Sequence, residues 1–537
     1  MEKNTSWGVM RTQMANLSTS KFVRICLVLL ATLGSVAIAL AWSMSSHVVT
    51  HASQASPGAV SGPVSKTWYF AEGRVGTGYA ENFTIGNPAS TGTCAADVQY
   101  IYQPDSGSAG TKTVTVSIAA MSRVSESVNT DLKITPSQSS GAWVGAVIKV
   151  NTNTTPSCTG VVVERSVYFN ANSINSGDEI IGSTHLGTTF YFADMPTGTG
   201  YTSDIAILNT NTSAAHVTIK YYAGGQQVSS QKATVNASAR GTLTLPTGLP
   251  AHSAAAITSD LPVLVERSNY FNAIKVGVAG TVSGGWSTIG SMTIANDWLF
   301  AQGYTAGKFQ EYLDIANVDP ANTAAAVTIS LFYPKGTPST FTVTVNPYSQ
   351  LAWDVNQNST SAVSPYVSAE VTSTGAKIVV EREMFFKYNH TANGSPVVAL
   401  GGTDVMGQVG PASQIGYNFA DGNTNAGYDE LLVLFNPTTG SEKIYPILVN
   451  GLGTVYHMNP VRLYPKTNLT INITSVVAKN MVKPGQGSQA YDVSIRLEVS
   501  FTYEGFVAER LNYWNASTAG LSNPTQGGTD VIGYSGL

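Results

Sequence analysis

Charged residues are scarce in this chain. They make up 11% of its 537 residues, against about 25% in an ordinary soluble protein. The polar surface must therefore come mostly from Thr, Ser, Asn, Gln and Gly, which favour strands and turns over exposed helices. Lys and Arg number 28 against 32 Asp and Glu, and the net charge is −4. Because phosphate binding needs clustered Lys and Arg, and no such cluster is visible, we expect no nucleic-acid partner.

Cysteine is equally rare, with three residues in the whole chain. Cys26 lies in an apolar N-terminal segment, which leaves Cys94 and Cys158 as a pair further along. If this part of the chain is exported, for which the N-terminus described below gives the evidence, the two cysteines indicate a disulfide. The alternative is two unpaired thiols that are buried as small apolar side chains.

The motifs of common catalytic sites are also missing. The sequence has no Gly-x-Ser-x-Gly turn, no Gly-x-Gly-x-x-Gly and no phosphate-binding loop. Its seven histidines show neither metal-ligand spacing nor recurrence between the repeats described below. We therefore expect a protein that is not an enzyme and that holds no cofactor and no metal.

The N-terminus has the pattern of an export signal. Residues 1–24 form a basic segment that is expected to be cytoplasmic, and an uncharged apolar run follows at 25–42. As a helix this run spans about 27 Å, just short of a bilayer core, and the charge before it directs the bulk of the chain outside. A single-pass membrane anchor and a cleaved signal peptide, which would make the protein secreted, are both open. Residues 43–66 have the composition of a flexible linker.

One pattern occurs four times after this segment. Each copy begins with an opening motif, namely an aromatic residue, any residue, Phe, Ala and an acid or amide; the copies start at Trp68, Phe190, Trp298 and Tyr417. An alternating strand follows and closes on an asparagine, at Asn87, Asn209, Asn317 and Asn436. We expect an all-β protein of four tandem β-sandwich domains of the immunoglobulin-like (Ig-like) type, at 67–186, 187–292, 293–409 and 410–537. A β-propeller is the alternative.

Each copy ends with a late motif and a Gly-rich tail. The late motif is Glu-Arg, two further residues and two aromatics, at 164–169, 266–271, 381–386 and 509–514. Together these motifs resemble tandem repeats of uncharacterised bacterial exported proteins, which share an opening Trp-x-Phe-Ala-Glu-Gly, a middle Asn-Pro and a late Glu-Arg-x-x-Tyr-Phe. The resemblance covers about residues 67–537 and implies a surface location without an assigned activity. The second copy departs most, because no Gly follows Asp194 and no Pro follows Asn209.

The recurrent Glu-Arg calls for a physical explanation. Neighbouring residues on a strand point to opposite faces, so one of the two charges is directed at the core or at a junction, where it needs a partner. We expect the arginine to pair with the last residue of the opening motif of its own copy, as a structural pin between the first and last strands. The four pairs are Glu72 with Arg165, Asp194 with Arg267, Gln302 with Arg382, and Asp421 with Arg510. A ligand or metal site in each repeat and simple surface exposure are the alternatives.

These features favour a non-enzymatic, exported cell-surface protein with a structural or adhesive array of β-domains. Its partner is unknown, and a cell-envelope or surface polymer is the class we consider. A set of extracellular polysaccharide-binding modules is the alternative, with aromatic platforms at Trp68, Trp298, Tyr168, Tyr270 and Trp514, although core packing suits these aromatics better. A secreted hydrolase is the weakest alternative.

Overall fold

A computed structural model describes residues 63–359, 364–411, 413, 415–499, 504–518 and 520–536. Strands dominate these residues, helices are few and short, and the strands form several separate sheets. The prediction of an all-β protein is confirmed. The basic segment, the apolar run and most of the linker that the sequence predicts lie outside the described residues. Within the described residues, no helix is long and apolar enough to cross a membrane.

Repeat 1 (67–186) contains two sheets. Its elements are β1 (Thr67–Phe70), β2 (Arg74–Val75), β3 (Tyr79–Asn87), β4 (Cys94–Pro104), β5 (Gly110–Ile118), β6 (Ser122–Ser127), α1 (Val128–Leu132), β7 (Ala142–Val150), β8 (Val162–Ala171) and β9 (Ile174–Ile181). The first sheet has the order β1-β7-β4-β5, with β2 also on β7, and the second has the order β6-β3-β8-β9.

Repeat 2 (187–292) has the same two layers, joined by one long strand. Its elements are β10 (Gly187–Phe192), β11 (Tyr201–Asn209), β12 (Ala215–Ala223), β13 (Gln226–Val235), β14 (Ala239–Thr244), β15 (Ala254–Val276), a 3₁₀ turn (Gly277–Ala279) and β16 (Gly280–Ile289). The first half of β15 pairs with β10 and β12, and its second half pairs with β11 and β16.

Repeat 3 (293–409) separates the two layers again. Its elements are β17 (Asp297–Phe300), β18 (Phe309–Asn317), β19 (Ala325–Phe332), β20 (Ser339–Val345), β21 (Ser349–Asp354), α2 (Val355–Asn358), β22 (Ser368–Thr374), β23 (Val379–Ala392), β24 (Ser395–Met406) and β25 (Gln408–Val409). The sheets have the orders β20-β19-β22-β17-β25 and β21-β18-β23-β24.

Repeat 4 (410–537) repeats this plan with a longer helix. Its elements are β26 (Tyr417–Phe419), β27 (Tyr428–Asn436), β28 (Glu442–Asn450), β29 (Val455–His457), β30 (Val461–Leu463), β31 (Thr467–Asn472), α3 (Ile473–Asn480), a 3₁₀ turn (Ser488–Ala490), β32 (Val493–Val499), β33 (Val507–Ala516) and β34 (Thr525–Ile532). The sheets have the orders β26-β32-β28-β29, with β30 also on β28, and β31-β27-β33-β34.

The opening motifs occupy equivalent places in the four repeats. Each opening strand pairs, antiparallel, with the strand just before the late motif, or in repeat 2 with the first half of β15. In immunoglobulin domains the first strand instead pairs with the second. The order of strands therefore differs from the immunoglobulin order, although each repeat has two sheets.

Each repeat has its own apolar cluster, and both of its sheets contribute to that cluster. In repeat 1, for example, Phe70 and Ile148 from one sheet pack with Phe83 and Val163 from the other. The closing asparagine of the second strand is buried beside each cluster, and its side-chain NH₂ donates to main-chain carbonyls of the following turns. These asparagines therefore fix turns from the inside.

The four Gly-rich tails meet at the centre of the molecule. The tail strands β9, β16, β24 and β34 contact one another in a cycle, so that β34 of the last repeat lies against β9 of the first. A Cβ at Gly402 would lie 2.7 Å from Cζ3 of Trp286 in the preceding repeat, and one at Gly528 would lie 2.6 Å from Cζ of Phe386. Only glycine permits an aromatic ring to approach the strand this closely. The described residues, from 63 onward, accordingly form one compact unit.

Candidate functional site

The late-motif arginines are fully buried in all four repeats. Each guanidinium donates from Nη1 to the main-chain carbonyl of the last residue of its own opening motif; the pairs are Arg165 with Glu72, Arg267 with Asp194, Arg382 with Gln302, and Arg510 with Asp421. The structure thus brings the predicted residues together through the main chain, whereas the prediction was that their side chains would pair. The physical reason is that these carbonyls lie just beyond the end of the opening strand, where the guanidinium is their hydrogen-bond partner.

The carboxylate partner of each arginine comes from the next repeat. Late-motif glutamates supply it, with N···O distances of 2.9 Å for Arg165–Glu266, 2.8 Å for Arg267–Glu381, 2.8 Å for Arg382–Glu509 and 2.7 Å for Arg510–Glu164. The other oxygen of each glutamate accepts from the N–H of the opening-motif alanine, at Ala71, Ala193, Ala301 and Ala420. Since Glu164 belongs to the first repeat and Arg510 to the last, the junctions close into a ring.

A second carboxylate reaches three of these arginines from the tail of the next repeat. Glu179 lies 2.8 Å from Arg510, and Asp404 and Asp530 contact Arg267 and Arg382. In repeat 2 the corresponding tail residue is Ser287, so Arg165 has one carboxylate fewer. Its Nε and Nη2 have no hydrogen-bond partner among the described residues.

Burial and charge act against each other at these junctions. Burial lowers the pKa of Arg510, but the charges of Glu164 and Glu179 raise it by more. The net pKa lies above its ordinary value, so the guanidinium stays charged. Burial also raises the pKa of Glu179 to about 8, against the opposing effect of Arg510. A buried pair of this kind depends on both partners, because an isolated buried charge is strongly unfavourable.

A second polar contact crosses two of the junctions, and no sequence motif predicts it. The side chain of the last opening-motif residue faces a residue on the next repeat that precedes its late motif: Arg240 for Glu72, at 3.1 Å, and Arg123 for Asp421, at 2.5 Å. Strand register gives Arg123, Arg240, Gln350 and Asn468 the same place, since each pairs with the residue before the closing asparagine. Arginine stands at this place in two copies and an amide in the other two, so no recurrent motif marks the position in the sequence.

The glycine that follows the opening motif in three repeats leaves room for a buried glutamate side chain. A Cβ at Gly73 would lie 2.4 Å from Oε1 of Glu81, and one at Gly303 would lie 2.6 Å from Oε1 of Glu311; Gly422 and Glu430 form the same pair. In repeat 2 the glycine is replaced by Met195, and the glutamate by Ser203. Burial raises the pKa of both Glu81 and Glu430 to about 8.

The cysteines and aromatic residues that the sequence marked as candidates are nearly all held inside the fold. Cys94 and Cys158 are joined by a disulfide with a Cα–Cα distance of 5.2 Å. Trp68, Trp298 and Trp514 are completely buried, and their indole N–H groups donate to Val161, Ile378 and Thr525. Tyr168 is buried as well, whereas Tyr270 lines a cavity between repeats 1 and 2. The buried tryptophans offer no face for a ligand to stack on.

That cavity has a volume of about 560 Å³. Aromatic rings of Trp143, Tyr201 and Tyr270 line it together with the polar side chains of Arg74 and Asp204. The Arg74 guanidinium lies 4.5 Å from the Trp143 ring centre and binds Asp105, while Thr244 donates to Asp204. The cavity therefore combines flat apolar faces with fixed polar groups, a combination that is typical of small-molecule sites.

No protein-family model and no curated protein sequence matches this chain. Among solved structures, the chain is similar to Thermotoga maritima 1070, with 16% identity and a TM-score of 0.18 over 20% of this chain and 95% of that one. It is also similar to the Anabaena sensory rhodopsin transducer, with 23% identity and a TM-score of 0.13 over 16% and 97% of the two chains. A third similarity is to a tetra-tandem repeat in the extending region of a large adhesion protein, with 11% identity and a TM-score of 0.11 over 83% and 96%.

Proposed function

We propose that this chain is a non-enzymatic, exported cell-surface protein in which four two-sheet β-sandwich repeats form one rigid platform with a structural or adhesive role. The observation that carries the proposal is the closed ring of buried Arg–Glu junctions, from Arg165–Glu266 to Arg510–Glu164. The polar residues that recur in every copy are engaged between repeats. These residues stabilise the packing of the four repeats against one another. The recurrence of the motifs therefore has a structural explanation that needs no catalytic role.

Ring closure suits a platform better than an extended stalk. Pro63, at the start of the described residues, accepts a hydrogen bond from Asn418 of repeat 4 at 2.9 Å. A Cβ at Gly536 would lie 2.7 Å from Pro63, so Pro63 lies beside the end of the last repeat. A platform held at one point presents its outer sheets to its surroundings, and we propose a cell-envelope or surface polymer as the partner.

Export is supported by two independent features. The Cys94–Cys158 disulfide is a bond that persists in oxidising compartments and is rare in the cytosol of ordinary organisms. The basic segment followed by an apolar run at 25–42 has the pattern that directs the following chain outward.

The location can be tested on whole cells of the source organism. Intact cells are treated with a broad protease and, separately, with a membrane-impermeant amine label, and the chain is followed with an antibody against residues 67–537. We expect labelling without lysis, and a cytoplasmic enzyme in the same cells serves as the control. Labelling that appears only after lysis would contradict the proposal.

A second candidate function is saccharide binding at the cavity between repeats 1 and 2. Sugar rings stack on flat aromatic faces and exchange hydrogen bonds with carboxylates and amides, and Trp143, Tyr201 and Asp204 supply both kinds of group. A glycan array would test it, with Tyr201→Ala expected to reduce any signal at least tenfold and the exposed Tyr464→Ala expected to leave it unchanged. A wild-type signal at background level would remove this candidate.

A further inference from the structure

The junction between repeats 2 and 3 breaks the pattern of the others. At the junctions that hold Glu72 and Asp421, an arginine of the next repeat neutralises the opening-motif acid. At the junction that holds Gln302 there is no charge to neutralise, and Asn468 stands in the arginine position. Asp194 is an acid like the first two, yet the arginine position opposite it is Gln350. The positive charge expected from the pattern is missing.

The same junction also has two extra carboxylates. The residue paired across the strand with the late-motif glutamate is Thr84, Ala206 or Val433 in the other repeats, and Asp314 in repeat 3. The residue two places after that glutamate is Ser166, Ser268 or Leu511 in the other repeats, and Glu383 in repeat 3. Asp194, Asp314 and Glu383 are all buried. The junction that lacks the arginine is thus also the one with additional buried carboxylates.

Each of these carboxylates has one oxygen without a hydrogen-bond partner in the described part of the chain. Oδ1 of Asp194, Oδ2 of Asp314 and Oε1 of Glu383 are buried and have no hydrogen-bond partner among the described residues. Gln350 donates to the other oxygen of Asp314 at 2.7 Å. Buried carboxylate oxygens of this kind need a proton or a cation.

A histidine completes the cluster from the solvent side. His252 Nδ1 lies 3.2 Å from Oδ2 of Asp194, and its side chain is 52% exposed. One ligand atom each from Asp194, His252 and Asp314 lies within 4.8 Å of the others. Zinc binds such oxygen and nitrogen atoms at about 2.0–2.2 Å, so a side-chain movement of about 1 Å brings all three into reach.

We propose that Asp194, Asp314 and His252 bind one divalent transition-metal ion of the Zn²⁺ class at the junction between repeats 2 and 3. The metal supplies the positive charge that Arg123 and Arg240 supply elsewhere in the ring. Two carboxylates set the charge, and the imidazole favours a transition metal over Ca²⁺ or Mg²⁺. The exposed side of His252 gives the ion a path of entry and leaves room for water as a further ligand.

Calorimetric titration of the purified, chelator-stripped full chain with ZnCl₂ tests this. We expect one saturable site in the wild type, at least tenfold weaker binding in His252→Ala, and unchanged binding in His216→Ala, which removes another exposed histidine. Gln350→Arg introduces the arginine that stands in this position at the Glu72 and Asp421 junctions, and we expect it to abolish the site while the chain stays folded by circular dichroism.

Cobalt gives a second readout that does not depend on calorimetric heats. Co²⁺ added to the stripped wild type is expected to produce visible absorption bands of a nitrogen- and oxygen-ligated ion, and these bands are expected to be lost in His252→Ala and in Gln350→Arg. The proposal is overturned if no saturable Zn²⁺ site is found, if both variants bind as the wild type does, or if the site takes Ca²⁺ or Mg²⁺ in preference to Zn²⁺.

Discussion

The Glu164 carboxylate lies 2.7 Å from the Arg510 guanidinium, although 346 positions separate the two residues in the chain. This contact closes the ring, because it joins the first repeat to the last in the same way that Glu266, Glu381 and Glu509 join neighbours. Both side chains are completely buried. The pair is therefore one of the buried contacts that hold the first and last repeats together.

Replacing Glu164 by glutamine should destabilise the protein by about 3–5 kcal/mol, because it leaves the buried Arg510 with one carboxylate fewer. The measurement is the free energy of unfolding from a urea titration, with the exposed Asp260→Asn as a charge-matched control that should change it by less than about 0.5 kcal/mol. In a double-mutant cycle with Arg510→Gln, we expect a coupling energy well above 1 kcal/mol. If the effects of the two single substitutions on the free energy of unfolding were additive, the Glu164–Arg510 contact would have no coupling energy.

A second prediction concerns Gly303 and Glu311. Gly303→Ala should cost about 1–3 kcal/mol of unfolding free energy, since the new Cβ would lie 2.5 Å from the carbonyl oxygen of Val367 and 2.6 Å from Oε1 of Glu311. Repeat 2 shows a natural alternative, with a buried Met195 and Ser203 in these places. The double variant Gly303→Met, Glu311→Ser should therefore be more stable than Gly303→Met alone. Equal stability of the two would mean that the exchange in repeat 2 is unrelated to packing.

Local patterns in the sequence predict much of the fold but few of the contacts between repeats. The aromatic at the start of each copy and the alternation after it anticipate the equivalent places of Trp68, Trp298 and Tyr417 on their opening strands. Neighbours on a strand face opposite ways, and this anticipates that one charge of each Glu-Arg is buried.

The residues that pair across each junction between repeats could not be predicted from such local patterns. Every copy carries the same Glu-Arg, so nothing in the sequence distinguishes pairing within a repeat from pairing between repeats. Arg123 and Arg240 serve the same role in two copies but are replaced by Gln350 and Asn468 in the others, so no recurrence draws attention to them. Their role appears only when the closed ring brings successive repeats together.

The disulfide should contribute measurably to stability. It closes a loop with a sequence separation of 64, for which the chain-entropy account gives about 4 kcal/mol. We expect Cys94→Ser with Cys158→Ser to lower the unfolding free energy by about 2–5 kcal/mol, measured without reductant. Adding dithiothreitol to the wild type should have a similar effect and should leave the double variant unchanged. A stability that is insensitive to reductant would contradict the contribution of the bond.

The last prediction follows from the buried carboxyls beneath the opening glycines. Burial raises the pKa of Glu81 to about 8 from an ordinary value of 4.5, and both of its oxygens lack hydrogen-bond partners among the described residues. Between these two pH values the folded chain holds a proton that the unfolded chain releases. The stabilisation is therefore complete below about pH 4.5 and is lost as the pH rises towards 8.

Burial raises the pKa of Glu430 to about 8 as well, so the free energy of unfolding should fall from pH 5 to pH 8. Each such carboxyl contributes a slope of about 1.4 kcal/mol per pH unit. Glu81→Gln replaces the protonated acid by a neutral amide of the same shape, and it should reduce the slope by that amount while leaving the stability at pH 5 nearly unchanged. Urea titrations at intervals of half a pH unit would measure this. An unfolding free energy that rises over this range in the wild type would show that the carboxyl is ionised in the folded protein.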